Sequence, residues 1–564
     1  MARAARQLRR LDLVSSQAQK KADSGKYMLT GVWFPSGSGQ QQKKNGGQGS
    51  GGNDGKNETH SAWKEKLIEG GATAFGSVMV LGLIGYSYHQ YYKSLVLRKM
   101  DKAFIKGFSS AELAALSRHM YDSPNLDSGG DGGSGEIEDD DWIFRGEQAV
   151  VDRIVDGTAQ GHYHLITGEK GTGKTSMLLK AMRKIDGDGV AMLEANADIE
   201  IFRTRLGKAL NYEFHEDYIG SLFSFKGPRE STSLLEIERA FNKMEKIALR
   251  RRARVGKPLL LIINRSHLLH DNDEGRQLLQ VIQQRAELWA ASRLVTVVFV
   301  SDEYWIEERL RPFATRMRVL PVHDVPRSVV VPSLRDFRAR HFGEVGGDFD
   351  DDDSRLQRVY DKVGGRMRFL SQVARAADMD RVCAAILERE RRWFLNQCWI
   401  YGGDMDDAAE EDQDFCAAAI VLAKVLLEKE RAIRSRPDGV GGDRGDALPE
   451  VPLHEAREIM TRGDFIERHD HINIFSIDSN AMVRADSMAM QNVFRDVCSR
   501  PGFDAHLAAT MERLDELESL GRTREIKIKD LSDGNVVRVD FDGGGERGGE
   551  PGRRTALLRT INKE

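Results

Sequence analysis

Cysteine is scarce. Cys383, Cys398, Cys416 and Cys498 are all that 564 residues contain, and no two of them form a Cys-x-x-Cys pair. That excludes a disulfide scaffold and a zinc framework, and leaves reduced, buried thiols as the plain reading. A surplus of positive charge is also lacking. The formal net charge is −4, so nothing in the chain as a whole calls for nucleic acid. Charge of either sign is missing between Glu69 and Lys93. A chargeless helix of that length covers ~30 Å of hydrocarbon. Trp63 stands before it, and Tyr86, Tyr88, Tyr91 and Tyr92 gather at its far end as interfacial aromatics do. The expectation is one N-terminal transmembrane helix over residues 70–92.

Acidic residues are few at the N-terminus, where Arg3, Arg6, Arg9 and Arg10 alternate with leucines and are followed by Ser15 and Ser16. This is the character of a mitochondrial presequence, with an ordinary basic tail as the alternative. Lysine and arginine are denser after the span (Lys93, Arg98, Lys99, Lys102) than before it. That favours the C-terminal bulk facing the matrix from the inner membrane, or the cytosol if the N-terminus is an ordinary basic tail. Residues 1–60 are expected to be presequence-like and disordered, 93–121 to form juxtamembrane helices, and 122–141 to be an acidic linker.

Residues 168–175 carry what the rest of the chain does not. They read Gly-Glu-Lys-Gly-Thr-Gly-Lys-Thr, a complete phosphate-binding loop. Gly168, Gly171 and Gly173 leave room for backbone N–H groups to turn inward around a polyphosphate, with Glu169, Lys170 and Thr172 supplying further main-chain contacts. Lys174 is suited to β- and γ-phosphates, the Thr175 hydroxyl to Mg²⁺, and Ser176 opens the helix behind them. A β-rich run (His162–Thr167) precedes the loop and a helix-like run follows it. This is the context in which a helix N-terminus receives an anion. The loop therefore predicts binding of a nucleoside triphosphate.

Strand-like runs at His162–Thr167, Gly189–Glu194, Pro258–Asn264, Leu294–Val300 and Met317–Val322 alternate with helical runs over residues 142–326. Near-continuous apolar strands such as Leu259–Ile263 belong to a parallel sheet covered on both faces. The fold class expected is α/β: a P-loop core with a five-stranded parallel sheet, and a helical lid over 327–400. A winged-helix-like domain over 415–521 is expected from its helices and a hairpin around Asp478-Ser-Asn480. A tail over 522–564 completes the chain. In the last domain Arg457, Arg462, Arg468 and Arg484 are matched by Glu455, Glu458, Asp464, Glu467 and Asp470. That balance favours protein contact over nucleic acid.

The candidate chemical residues are incomplete in one respect. The strand ending Ile-Ile-Asn264-Arg265 has an amide where an acid holding the Mg²⁺ water is expected, and an arginine where a base is expected. Arginine stays protonated, so binding is better founded than hydrolysis. Asp271, Asp273 and Glu274 are either substitutes or a surface loop. Ser301 either touches the γ-phosphate region or caps the turn it begins. Arg309, Arg311, Arg316 and Arg318 are either a source of an arginine finger or a solvated cluster. The run Arg250–Lys257 either grips phosphates or completes a helix C-terminus.

With these residues in view, the chain resembles an AAA+ ATPase of the origin-recognition-complex-like or archaeal-ATPase branch. The likeness rests on Phe144-Arg-Gly-Glu-Gln148, the loop Gly168–Thr175, the strand ends at Asn264 and Ser301, and Gly364-Gly-Arg366. In IINRSHLL (262–269) and VFVSDEYW (298–305) it is similar to fungal membrane-anchored AAA proteins with a C-terminal winged helix. The resemblance implies ATP, rather than GTP, with Mg²⁺. It implies sensor roles for Ser301 and for Arg366 with Arg368 behind it, and a nucleotide-dependent switch or remodeller acting on a protein client or as a homo-oligomer. A scaffold that binds nucleotide without turning it over, and a nucleic-acid handler at the mitochondrial nucleoid, stay open as alternatives.

Overall fold

The computed structural model describes residues 58–107, 143, 145–214, 232–343, 353–404, 409–435, 448–524, 536–541 and 554–559. The basic N-terminus, the linker 122–141, Phe144, residues 436–447 and most of the tail lie outside the described residues.

All five expected strands form, each within a residue of its expected bounds: β1 (Tyr163–Thr167), β2 (Val190–Glu194), β3 (Leu259–Asn264), β4 (Val295–Val300) and β5 (Met317–Pro321). They make one parallel sheet in the order β2-β3-β4-β1-β5. The apolar runs of β3 and β4 are buried along their whole length, as a strand covered on both faces requires. Alternate residues divide between two cores. Leu261, Ile263, Val297 and Phe299 face the helices Ile199–Ala209, Ser233–Val255 and Asp273–Ser292. Leu260, Ile262, Val298 and Val300 face the helices Gly146–Val155 and Lys174–Lys184. Local signals set the helix ends. Asp198, Thr232 and Asn272 accept from the first-turn N–H groups of their helices, and Gly256 closes Ser233–Val255 in the left-handed region at φ 76°.

Four helices follow (Arg327–Gly343, Asp353–Val363, Met367–Ala374 and Met379–Cys398) around a small core of their own. The C-terminal module packs the helices Glu410–Arg434, Leu453–Ile459, Gly463–His471, Met488–Cys498 and Phe503–Arg524 against a three-stranded antiparallel sheet. Its strands are β6 (Val451–Pro452), β8 (Met482–Ala485) and β7 (Phe475–Ile477), in that order. Asp478 builds the β7–β8 turn: its Oδ1 accepts from the N–H groups of Asn480 at 2.9 Å and Met482 at 2.8 Å. The expected hairpin is therefore the wing of a winged helix. A further antiparallel pair, Val536–Phe541 with Arg554–Arg559, lies in the tail.

The N-terminal part departs from expectation. Glu58–Lys102 is one continuous helix. Among the described residues no helix is long and apolar enough to cross a membrane, which corrects the span expected over Gly70–Tyr92. The large apolar side chains run only from Phe75 to Ile84, with Gly76, Ser77 and Gly82 among them, and then give way to Tyr-Ser-Tyr-His-Gln. About ten residues rise about 15 Å, half of a hydrocarbon core. A chargeless stretch is not an apolar one of the same length. The end of this helix is also no free juxtamembrane segment. Val96, Met100 and Phe104 are buried in the core beside β2.

Candidate functional site

β1 delivers the chain to Gly168, and the helix Lys174–Lys184 carries it away. The glycines between them are required by the backbone. Gly168 has φ 145°, and a Cβ there would stand 2.2 Å from the Val322 carbonyl oxygen. Gly173, at φ 101°, is the left-handed residue from which the helix starts. The first N–H groups of that helix have no partner within it and point back at the loop.

Lys174 is buried. Its Nζ donates to the carbonyl oxygens of Gly168 at 2.7 Å and Glu169 at 2.8 Å, and pairs with Asp302 Oδ1 at 2.8 Å. Thr175 Oγ1 donates to Asn264 Oδ1 at 3.2 Å. The end of β3 therefore does meet the loop hydroxyl, as its sequence position required. Asn264 is 1% exposed, and its Nδ2 has no hydrogen-bond partner. Thr172 closes the loop on itself through the Glu169 carbonyl at 3.0 Å, and Ser176 sits in the first helical turn. Arg145, which precedes the helix Gly146–Val155, holds the loop from outside by donating to the Thr172 carbonyl at 2.5 Å and to that of His323.

Glu169 faces the C-terminal module. Its Oε1 accepts from Ser476 Oγ at 3.2 Å and from the Arg484 guanidinium, both on the wing. Burial alone would raise this carboxyl, but Arg484 and Arg366 outweigh it and hold it at about 2. Arg366 is 2% exposed and fully bonded. Nε donates to Asp324 Oδ1 at 2.6 Å, and Nη1 donates to the Lys170 carbonyl at 2.9 Å and to Asp486 Oδ2 at 3.0 Å. Nη2 donates to Asp324 Oδ2 at 3.3 Å and to the Asp486 carbonyl. One guanidinium thus joins loop, lid and winged helix. Burial opposes its charge, and Asp324, Asp486 and Glu169 together raise its pKa. Arg368 packs its side chain against Gly171.

Burial pushes the Asp486 carboxyl up to about 7, with Arg366 opposing and Glu169 and Asp324 adding to the rise. A carboxyl whose folded pKa lies above its ordinary 3.8 binds more protons folded than unfolded. Its contribution is therefore present at low pH and lost as pH rises through about 7. Glu169 acts oppositely, and its contribution disappears only as pH falls from 4.5 towards about 2. Between pH 5 and 8 the denaturation midpoint of the full chain is expected to decline with pH, and Asp486→Asn is expected to flatten that decline. An unchanged slope in the variant would remove Asp486 as its source.

Ser301 stays local. Its hydroxyl donates to the Glu303 carbonyl at 2.8 Å and accepts the Glu303 N–H at 3.1 Å, while its own N–H reaches the Ile166 carbonyl at 2.9 Å. The neighbour that meets the loop is Asp302. Asp271 is gripped by Arg276 and Arg309, each through two hydrogen bonds of 2.8–3.0 Å. Among the described contacts, none joins Asp271, Asp273 or Glu274 to the loop. Four of the five bases in the run Arg250–Lys257 bond within the chain, and all but Arg251 stay exposed. Arg251 reaches Asp188 at 2.7 Å and the Phe104 carbonyl at 3.1 Å, Arg252 the Ser292 carbonyl, Arg254 Asp101 at 3.2 Å, and Lys257 Asp156 at 2.5 Å. A narrow cleft between loop and wing is lined by Thr167, Glu169, Asp302, Glu307, His323 and Asp478. Sequence reasoning missed Asp302, Arg484 and Asp486. Asp302 had a signal, an acid two positions beyond a fully buried strand; the other two had none.

Residues 142–298 match the sequence profile of the AAA ATPase domain, and residues 396–518 match that of the fungal AAA protein, C-terminal winged helix domain. No protein of curated function matches the chain. Among solved structures it is similar to a Walker-type ATPase of Pyrococcus abyssi, at 12% identity over 63% of this chain and 97% of that one, with a TM-score of 0.39. It is similar to the Orc1 protein of Aeropyrum pernix in complex with DNA at 15% identity, over 66% and 96%, with a TM-score of 0.31. For the AMPPCP-bound DnaA of Aquifex aeolicus the figures are 10%, 66% and 96%, with a TM-score of 0.28.

Proposed function

Starting from a chain that carries an AAA ATPase domain and a winged helix of the fungal AAA type, we propose that it is an ATP-dependent switch whose nucleotide loop is read directly by the winged helix. The observation that carries this reading is the bonding of Arg484 and Ser476, on the wing, to Glu169 inside the phosphate-binding loop. Arg366 adds a second link, between the Lys170 carbonyl and Asp486. A change of loop shape cannot leave the wing unaffected, because the two share buried, charged hydrogen bonds.

The residues fit a magnesium triphosphate. Gly168 and Gly173 hold backbone conformations in which a side chain is strained, a helix N-terminus faces the loop, and Thr175 stands beside the unsatisfied Asn264 amide. Lys174 would hold the β- and γ-phosphates, and Thr175 the cation. ATP supplies binding energy and, where it is cleaved, an irreversible step. Ser301 holds the end of β4 against β1, and Arg366 couples the lid to the loop. Remodelling of a protein client, or of a second copy of the chain, is the work such a switch would do.

The test uses the full chain. ATP with Mg²⁺ is expected to change hydrogen exchange across the wing, residues 475–485, and Lys174→Ala is expected to abolish that change. ATP binding without any effect on the wing would sink the switch. Phosphate release separates this reading from a scaffold that never turns nucleotide over, a reading favoured by the neutral Asn264. Salt-sensitive retardation of DNA would revive the nucleic-acid reading, although four bases of the run 250–257 already have partners within the chain.

Location belongs to the same proposal. Val78, Met79, Val80, Leu81, Leu83 and Ile84 are all more than half exposed. Consecutive helical positions cover every side of the helix. Such a sleeve favours an apolar surround, which membrane contact over this short stretch would supply, and the arginine-rich N-terminus favours the mitochondrion. Recovery of the whole chain in the soluble matrix fraction after organelle fractionation would overturn the membrane contact.

A further inference from the structure

We propose that Asp302 is the carboxylate of the nucleotide site, supplied from the end of β4 because β3 ends in the neutral Asn264. The inference rests on the nucleotide reading above. A buried ammonium needs a carboxylate partner, and without one it is strongly destabilising. Among the described ion pairs, the one carboxylate that Lys174 meets is Asp302, at 2.8 Å. The strand order explains why it reaches. β4 lies between β3 and β1, with Ile166 opposite Val300, so a side chain two positions beyond Val300 emerges beside the loop that follows β1.

Asp302 is held in place from both sides. Ser301 pins the turn through the Glu303 N–H and carbonyl. His267, on the turn after β3, accepts the Asp302 N–H at its Nδ1, 3.2 Å away, and its Nε2 stands 4.0 Å from Oδ2. Lys174 and Thr175 therefore lie between two polar groups. Asn264 accepts from Thr175 and carries no charge, and Asp302 carries the charge and pairs with Lys174. Asp302 is then a positioning residue. It orients Lys174 and is the acidic acceptor available to water on a cation held by Thr175. No acid at Asn264 is needed for that task.

The experiment titrates the full chain with a fluorescent non-hydrolysable ATP analogue, at saturating Mg²⁺ and in EDTA, with thermal midpoints recorded in parallel. Wild type is expected to bind more tightly with Mg²⁺. Asp302→Asn is expected to lose about tenfold of that enhancement, the scale of one charge-assisted hydrogen bond. Asp302→Asn combined with Asn264→Asp is expected to restore it, because the carboxylate returns to β3. An Asp302→Asn chain that keeps its full Mg²⁺ enhancement and binds more tightly in both conditions would show Asp302 to be a mere stand-in for phosphate, and would overturn the assignment. Should Asp302→Asn fail to fold, the double variant decides, since it carries its carboxylate at the position that meets Thr175: full enhancement supports the assignment and none overturns it. Wild type with no analogue binding at all would overturn the nucleotide reading and this assignment with it. Binding without rescue overturns only the assignment.

Discussion

Arg366→Ala is expected to be the most destabilising single substitution at the junction of loop, lid and winged helix, by roughly 3–5 kcal/mol. The guanidinium is 2% exposed and bonded to Asp324, Asp486 and the Lys170 carbonyl. Removing it deprives Asp324 of its forked partner, drives the buried Asp486 carboxyl further toward its protonated form, and leaves Glu169 with no counterion but Arg484. Uncompensated buried charge is far more harmful than an absent pair. The chain therefore has one specific way to recover. Replacing Asp324 and Asp486 by asparagine in the Arg366→Ala background should return part of the loss, whereas Arg366→Lys should not, because an ammonium cannot fork to two carboxylates and a carbonyl. Denaturant titration of the full chain, read by tryptophan fluorescence, measures this. A loss below about 1 kcal/mol, the range of exposed ion pairs, would show that the network contributes little.

The second large effect concerns binding. Lys174→Ala is expected to weaken ATP binding at least about 100-fold, equivalent to about 2.7 kcal/mol and within the range of charged hydrogen bonds. A structural consequence accompanies it. Lys174 also bonds the carbonyl oxygens of Gly168 and Glu169 and neutralises Asp302. The alanine variant therefore loosens the loop and leaves Asp302 without its cation, and its carboxyl should titrate at higher pH than in wild type. Equilibrium binding of labelled ATP, with Asp302→Asn as a second background, separates the effects. Wild-type affinity in Lys174→Ala would mean that the nucleotide, if it binds, does so elsewhere.

The strands were legible because their burial is continuous. Runs such as Leu259–Ile263 have no polar break and fit only a sheet covered on both faces. The loop was legible because glycine spacing records backbone shape, and Gly168 and Gly173 do hold left-handed conformations. The wing was legible from Asp478-Ser-Asn480, which is local turn chemistry. The Glu169–Arg484 contact was hidden, because it joins positions 315 residues apart and neither side chain is unusual in its own stretch. Asp302 was hidden for another reason. Attention follows the strand on which an acid is usual, and here that strand is neutral while its neighbour carries the charge. The membrane span failed because small and polar residues flank an apolar stretch too short to cross.

The end of the N-terminal helix has a consequence for how the chain is held together. The Phe104 carbonyl accepts the Gly189 N–H at 3.0 Å and an Arg251 N–H at 3.1 Å, and the Asn211 amide caps the Lys99 carbonyl at 3.0 Å. Met100 and Phe104 are fully buried, each contributing about 1.5–3 kcal/mol. Residues 96–104 thus behave as an inserted plug, seated beside the first residue of β2. Severing the covalent connection after Gly107 would not unseat them, and any pull along that helix is delivered to the rim of the sheet before it reaches the link that follows.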